Sequence, residues 1–172
     1  MAPAQAADRP ALDALFAACS EESIRLRFFG RLRAFPPEYL DAALAGAPSV
    51  HDAVVAYSGD RAHLAGLASL VAAAPVLPGE ATAATGEGTH TETAGPAEMA
   101  VLVGDPWQRQ GAGAAMITAL LARARDRGVV RVRATVLPGR RELLAALSRR
   151  LEPEAGCSSY TRDGLSTVYK LQ

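Results

Sequence analysis

Apolar positions recur along this chain with two periods, and the places where the period changes mark its elements. Leu12, Leu15 and Phe16 fall at helical spacing over residues 11–18, with Asp8 or Pro10 placed to start the helix. Ser20 stands three residues before Ser23 with Glu21 and Glu22 between them. That composition predicts an N-cap and a second helix running to about Phe29. Pro36 and Pro37 predict a short third helix within residues 35–45. Strand-like segments at 52–57 and 63–71 flank Ser58-Gly59-Asp60, which reads as the turn of an antiparallel hairpin. A third apolar run, Met99 to Val103, passes through Gly104-Asp105-Pro106 into a glycine-containing loop and then a long helical pattern. Val132, Ala134 and Val136 then alternate with Arg131, Arg133 and Thr135, the signature of a strand with one apolar face. A helix over 140–151 and a hairpin of 158–162 with 166–171, turning at Asp163-Gly164, complete the pattern.

Composition narrows this to one domain. At 172 residues, 49% of them hydrophobic, the chain can bury a substantial core. Residues 1–10 are small, polar and proline-containing and are expected to be mobile, leaving 11–172 as the folded unit. Within that unit, 72–96 is a low-complexity stretch of Ala, Thr, Gly and Pro, expected to be an insertion at the hairpin edge. Eighteen basic and eighteen acidic residues cancel, so no global field is available to hold nucleic acid or an anionic membrane. Cys19 and Cys157 are too few for a disulfide framework or zinc site, no apolar run is long enough to span a bilayer, and the opening lacks a secretory signal's features. The expectation is a cytoplasmic protein without a metal. His51, His63 and His90 are scattered and take no role.

The stretch with the most chemistry is Ala97 to Arg127. The first amides of a helix lack intrahelical partners, and with the helix dipole they favour an anion at the N-terminus. Gly111, Ala112 and Gly113 keep side chains out of the way of such an anion. The same residues also fit a tight turn with close helix packing.

Gln108 to Gly113, QRQGAG, matches the pattern Gln/Arg-x-x-Gly-x-Gly/Ala, and the preceding AEMAVLVGDPWQ extends the match. Ser20 to Gly30, SEESIRLRFFG, carries a second, distant match of the form Ser-x-Glu-Ser-x-x-x-Arg-Phe-Phe. Together they resemble the GNAT superfamily of acyl-CoA-dependent N-acyltransferases, and within it the Pat-type protein lysine acetyltransferases. The resemblance covers Leu12 to about Leu171. It implies an α/β (α+β) fold: a mixed, mostly antiparallel sheet flanked by helices, its first strand missing or short here. It implies acetyl-CoA as co-substrate and transfer to a primary amine, first of all a protein lysine, with a small-molecule amine or a non-catalytic acyl-CoA-binding module as alternatives.

Site residues follow from the same resemblance. Gln108, Arg109, Gln110, Gly111, Ala112 and Gly113 would hold the pyrophosphate. The backbone of Val101, Leu102 and Val103 would pair with the pantetheine arm and offer an amide to the oxyanion, if that strand splays from its neighbour. Glu98 falls on the family's general-base position; an ordinary exposed glutamate at a strand start is the other reading. Phe28 and Phe29 fall where the family walls its acceptor groove, and they also read as core aromatics. Two departures stand out. The family's usual tyrosine acid falls on Ser148, four residues before Glu152-Pro153 in place of Gly-Phe, and the usual asparagine opening that helix is replaced by Arg140. Trp107 either covers the loop or packs in the turn, and Arg131 and Arg133 either pair with acids or meet an anion. Oligomeric state is not encoded legibly.

Overall fold

A computed structural model describes residues 1–73, 95–162 and 164–171. Most of the predicted insertion, 74–94, and the turn residue Asp163 lie outside them. Seven strands form one sheet in the order β1-β2-β3-β4-β5-β7-β6. In chain order the elements are β1 (Ala2–Pro3), α1 (Arg9–Ala17), α2 (Glu21–Phe28), α3 (Pro37–Leu44), β2 (His51–Tyr57), β3 (Leu64–Val71), β4 (Ala97–Val103), α4 (Ala112–Asp126), β5 (Arg131–Val136), α5 (Arg141–Ser148), β6 (Glu152–Thr161) and β7 (Gly164–Lys170). Every neighbouring pair is antiparallel except β4 and β5. The predicted mixed, mostly antiparallel α/β sheet with a short first strand is therefore what forms.

The strand period of two divides the side chains between two cores. Ala97, Met99, Val132, Ala134 and Tyr169 pack with Met116, Leu120, Leu121 and Ala124 of α4 and Leu144 and Leu147 of α5. On the opposite face Val55, Leu67 and Leu102 meet Leu12, Leu15 and Phe16 of α1, Ile24 of α2 and Leu40 and Leu44 of α3. Gly66 lets α4 settle, since a Cβ there would lie 2.6 Å from the Met116 terminal methyl and from the Leu102 carbonyl oxygen. A charged group enters the α4 face: Asp52, 2% exposed, accepts from Arg123 at 2.9 Å and pairs with Arg127 at 2.7 Å. Two guanidiniums compensate its burial.

The opening of the chain differs from the mobile segment predicted for residues 1–10. Ala2 and Pro3 pair with Val55 and Val54, the Ala4 amide donates to Ala53, and a turn of 3-10 helix over Ala6–Asp8 leads into α1. The buried Asp8 carboxylate accepts from the Gln5 amide and the Tyr57 hydroxyl. This pairing joins residues more than fifty positions apart, which composition alone does not reveal.

Candidate active site

The β4 and β5 ladder is short. It joins Ala97 to Val132, Glu98 to Arg133 and Met99 to Ala134, and ends there. Beyond Met99, β4 stays paired with β3 as far as Val103, opposite Gly66. On its other edge the backbone of Ala100 to Val103 has no ladder partner among the described residues. The strands splay, so peptide groups of Val101, Leu102 and Val103 line a mouth between β4 and β5. An extended ligand bearing amides can pair with such an edge as another strand would.

The glycine loop lies at the end of β4. Asp105–Trp107 form a turn of 3-10 helix, and Gly111 precedes α4 with φ +88°, while Arg109 is also left-handed at φ +58°. Ala115 donates to the Gly111 carbonyl, so the amides ahead of it lack intrahelical acceptors. A Cβ at Gly111 would meet nothing within 4 Å, so the space beside the loop is open there. One at Gly113 would lie 3.3 Å from Val103 Cγ2, so the missing side chain there brings α4 against β4. Phosphate oxygens fit this cradle: donors, a helix dipole and room.

Side chains tie the cradle to α2. Asp105 accepts from the Ser20 amide at 2.6 Å, from the Ser23 hydroxyl and from Gln108 Nε2 at 2.8 Å. Gln108 Nε2 also donates to Ser23 Oγ at 2.8 Å and to the Val103 carbonyl at 3.1 Å. Gln110 turns back to the Pro106 carbonyl at 2.6 Å. Both glutamine side chains are thus engaged within the protein, leaving backbone as what they offer a ligand, while Arg109 is exposed. Burial alone would raise the Asp105 pKa, but the hydrogen bonds from Ser23 and Ser20 lower it overall. Ser20 caps α2 as predicted, its Oγ accepting from the Ser23 amide at 3.2 Å. The two distant sequence matches meet at Asp105.

On the α1–α3 face, just before the splay, Thr135 Oγ1 donates to Glu98 Oε1 at 3.0 Å and lies 3.3 Å from Ser166 Oγ. Glu98 is half-buried and shares a face with Thr135, Ser166 and its register neighbour Arg133. It stands near the start of β4, one residue before the last pair of the β4–β5 ladder. Arg131, two residues earlier, pairs with Glu154 at 2.9 Å, which is the ion-pair reading of that arginine.

Phe28 and Phe29 part company. Phe28, half-buried, packs with Phe16, Phe35 and Tyr39, centroids 5.8 to 6.0 Å from it. Phe29 caps α2 in the left-handed conformation, φ 58°, with its ring exposed. Trp107 packs in the turn, its ring 3.0 Å from where a Gly104 Cβ would be. Ser148 donates to the Leu144 carbonyl at 3.0 Å and lies 3.4 Å from the hydroxyl of Tyr169, a fully buried residue whose hydroxyl donates to the same carbonyl at 3.1 Å. Sequence reasoning passed over Tyr169, for which a β-strand position near the C-terminus gave no signal. A cleft of about 270 Å³ is lined by Glu21, Ile24, Arg31, Leu32 and Arg33, with neither Glu98 nor a glycine-loop residue in its lining.

The family model for the acetyltransferase (GNAT) family matches residues 16–151, which contain the capped α2, the splayed strand, the glycine loop and α4. The chain belongs to the GNAT family. It is thereby an acetyltransferase whose family uses acyl-CoA as co-substrate. No match was found among curated proteins. Among solved structures, it resembles the GNAT domain of PAT from S. lividans, with a TM-score of 0.75 at 21% identity over 98% of this chain and 88% of that one. The ribosomal-protein-alanine N-acetyltransferase of Brucella melitensis gives 0.61 at 18% over 98% and 96%. A cAMP-binding acyltransferase from Mycobacterium smegmatis gives 0.54 at 21%, covering 99% of this chain but only 43% of that one. At these identities the structural likenesses establish the fold.

Proposed function

We propose that this GNAT protein transfers an acetyl group from acetyl-CoA directly to a primary amine, with a protein lysine as first-choice acceptor and Glu98 as general base. The observation that carries the reading is the splay of β4 from β5 beside the glycine cradle, with Glu98 on the sheet face opposite α4. When bound, the donor supplies an activated thioester carbonyl. Gly111 to Gly113 hold its phosphates, and the free edge of β4 aligns its arm and donates an amide to the developing oxyanion.

The attacking amine must be neutral, and an ammonium has a pKa of about 10.4. Glu98 takes its proton, directly or through one water, as the carbon–nitrogen bond forms and the carbon–sulfur bond breaks. Thr135 fixes the carboxylate for that role. A direct attack also fits the state of Cys19, whose thiol is pushed up to about 11 by burial and by Asp105, so little thiolate exists at neutral pH to serve as a covalent carrier. A protein amine as acceptor is in keeping with the name of the Brucella relative. Cytoplasmic location belongs to the same proposal, in keeping with two free cysteines.

A second reading, an acyl-CoA-binding module that does not turn over, is favoured by Ser148, which stands at the family's acid position and whose hydroxyl already donates to Leu144. Thiol release from acetyl-CoA in the presence of lysine peptides, polyamines or amino sugars separates the readings. Release with peptides that falls sharply in Glu98→Gln supports the lysine transferase. Binding without release from any amine supports the module.

A further inference from the structure

An ion pair crosses the mouth of the splay. Arg140 follows β5 at the start of α5, and Glu22 sits in the first turn of α2; Arg140 Nη2 lies 3.5 Å from Glu22 Oε1 across 118 residues of sequence. Glu22 adjoins Ser23, which Gln108 of the glycine loop reaches at 2.8 Å. The pair therefore joins the segment after β5 to α2, which Ser23 ties to the glycine loop after β4.

Its two ends are unequally satisfied. Glu22 receives both Nε and Nη2 of Arg25 at 2.9 Å, a bidentate contact that survives if Arg140 leaves. Arg140 has a single 3.5 Å contact to Glu22 and another to Glu142 at 3.7 Å, with 43% of its side chain exposed. Its planar fork, which suits two oxygens of one phosphate, is used for neither contact in that way. Exposed pairs of this kind are weak and easily exchanged.

Resting on the acyl-CoA reading, we propose that Arg140 binds a phosphate of the donor and that Glu22 is the partner it gives up to do so. In the free protein the pair links the start of α5 to the first turn of α2. The entering polyanion takes the Arg140 fork, and Glu22 remains with Arg25. Glu22 thus competes with the donor, and the arginine replacing the family's asparagine becomes a phosphate ligand.

Calorimetric titration of wild type, Glu22→Gln, Arg140→Gln and the double variant with CoA, dephospho-CoA and pantetheine tests this, with melting curves to verify folding. Arg140→Gln should weaken CoA about tenfold or more, the scale of a lost charge-assisted contact. Glu22→Gln should tighten CoA roughly two- to fivefold, and in the Arg140→Gln background it should do nothing. Pantetheine should bind all four proteins alike. If the Arg140→Gln loss persists with dephospho-CoA, the ligand is the pyrophosphate; if it vanishes, it is the 3′-phosphate. Wild-type binding of CoA that Arg140→Gln leaves unchanged would overturn the proposal. So would weakening by Glu22→Gln, or tightening by it that persists without Arg140. Failure of wild type to bind CoA would instead reject the acyltransferase reading beneath it.

Discussion

The two faces of the sheet solve different problems with the same strands. Towards α4 and α5, alternate residues of β4 and β5 are apolar, and the site beside them is made of backbone: helix amides, a left-handed glycine and a free strand edge. Towards α1–α3 the same strands and β7 carry Glu98, Thr135 and Ser166, and the site there is made of side chains. Backbone chemistry is indifferent to most substitutions but intolerant of an added Cβ in the wrong place. Side-chain chemistry is the reverse. The first face should govern binding of the donor, the second the rate of transfer.

That division predicts opposite signatures. Glu98→Gln should lower kcat by about 10²- to 10⁴-fold, the usual scale for a general base, with the acetyl-CoA Kd unchanged in calorimetry. Gly111→Glu should do the opposite at the binding step. It places a carboxylate in front of the amides at φ +88°, where a side chain costs about 1–2 kcal/mol in strain, and should weaken acetyl-CoA about a hundredfold or more while lowering Tm only modestly. If Glu98→Gln instead weakens the donor as much as it slows transfer, the separation between the faces fails.

Smaller effects probe how each face is held. Asp52→Asn leaves Arg123 and Arg127 without their buried carboxylate and should cost roughly 2–4 kcal/mol in denaturant unfolding, the lower part reflecting the part-exposed guanidiniums. On the other face, His51 is buried against Tyr39 with Nε2 unpartnered, and burial, then Arg27, lower its pKa, against a smaller opposing effect of Asp52. The unfolded chain therefore binds the proton more readily than the native one. Stability should be full above about pH 6.5, decline as pH falls below that, and level off once the lowered native value is passed. His51→Phe should remove this slope in chemical denaturation measured from pH 5 to 8. A slope of opposite sign would mean that a cation is stabilised there.

Much of the donor face is legible in the sequence because its determinants are local. Gly111 and Gly113 stand three and five residues after Gln108, and the strand that leads to them is a single apolar run, so period and glycine spacing suffice. The acceptor face depends on partners far apart in sequence. Glu98 gains its position from Thr135 and Ser166, and the donor cradle's own tie to α2, Asp105 with Ser20 and Ser23, spans more than eighty residues; no periodicity marks such pairs. Phe28 shows the limit from the other side. The family pattern places it at the acceptor wall, and the structure packs its half-buried ring among three aromatics, contacts that adjacency to Phe29 conceals. The short β1 eluded composition for the same reason, since its pairing with Val54 and Val55 is a long-range event.

The most direct test of the central claim is a calorimetric titration of acetyl-CoA into the purified wild-type protein and Gly111→Glu. Saturable one-to-one binding to wild type that is lost in a folded Gly111→Glu is the predicted result. No heat with wild type, or equal affinity in the two proteins, would contradict the assignment of the splayed strand and its glycine loop as the donor site.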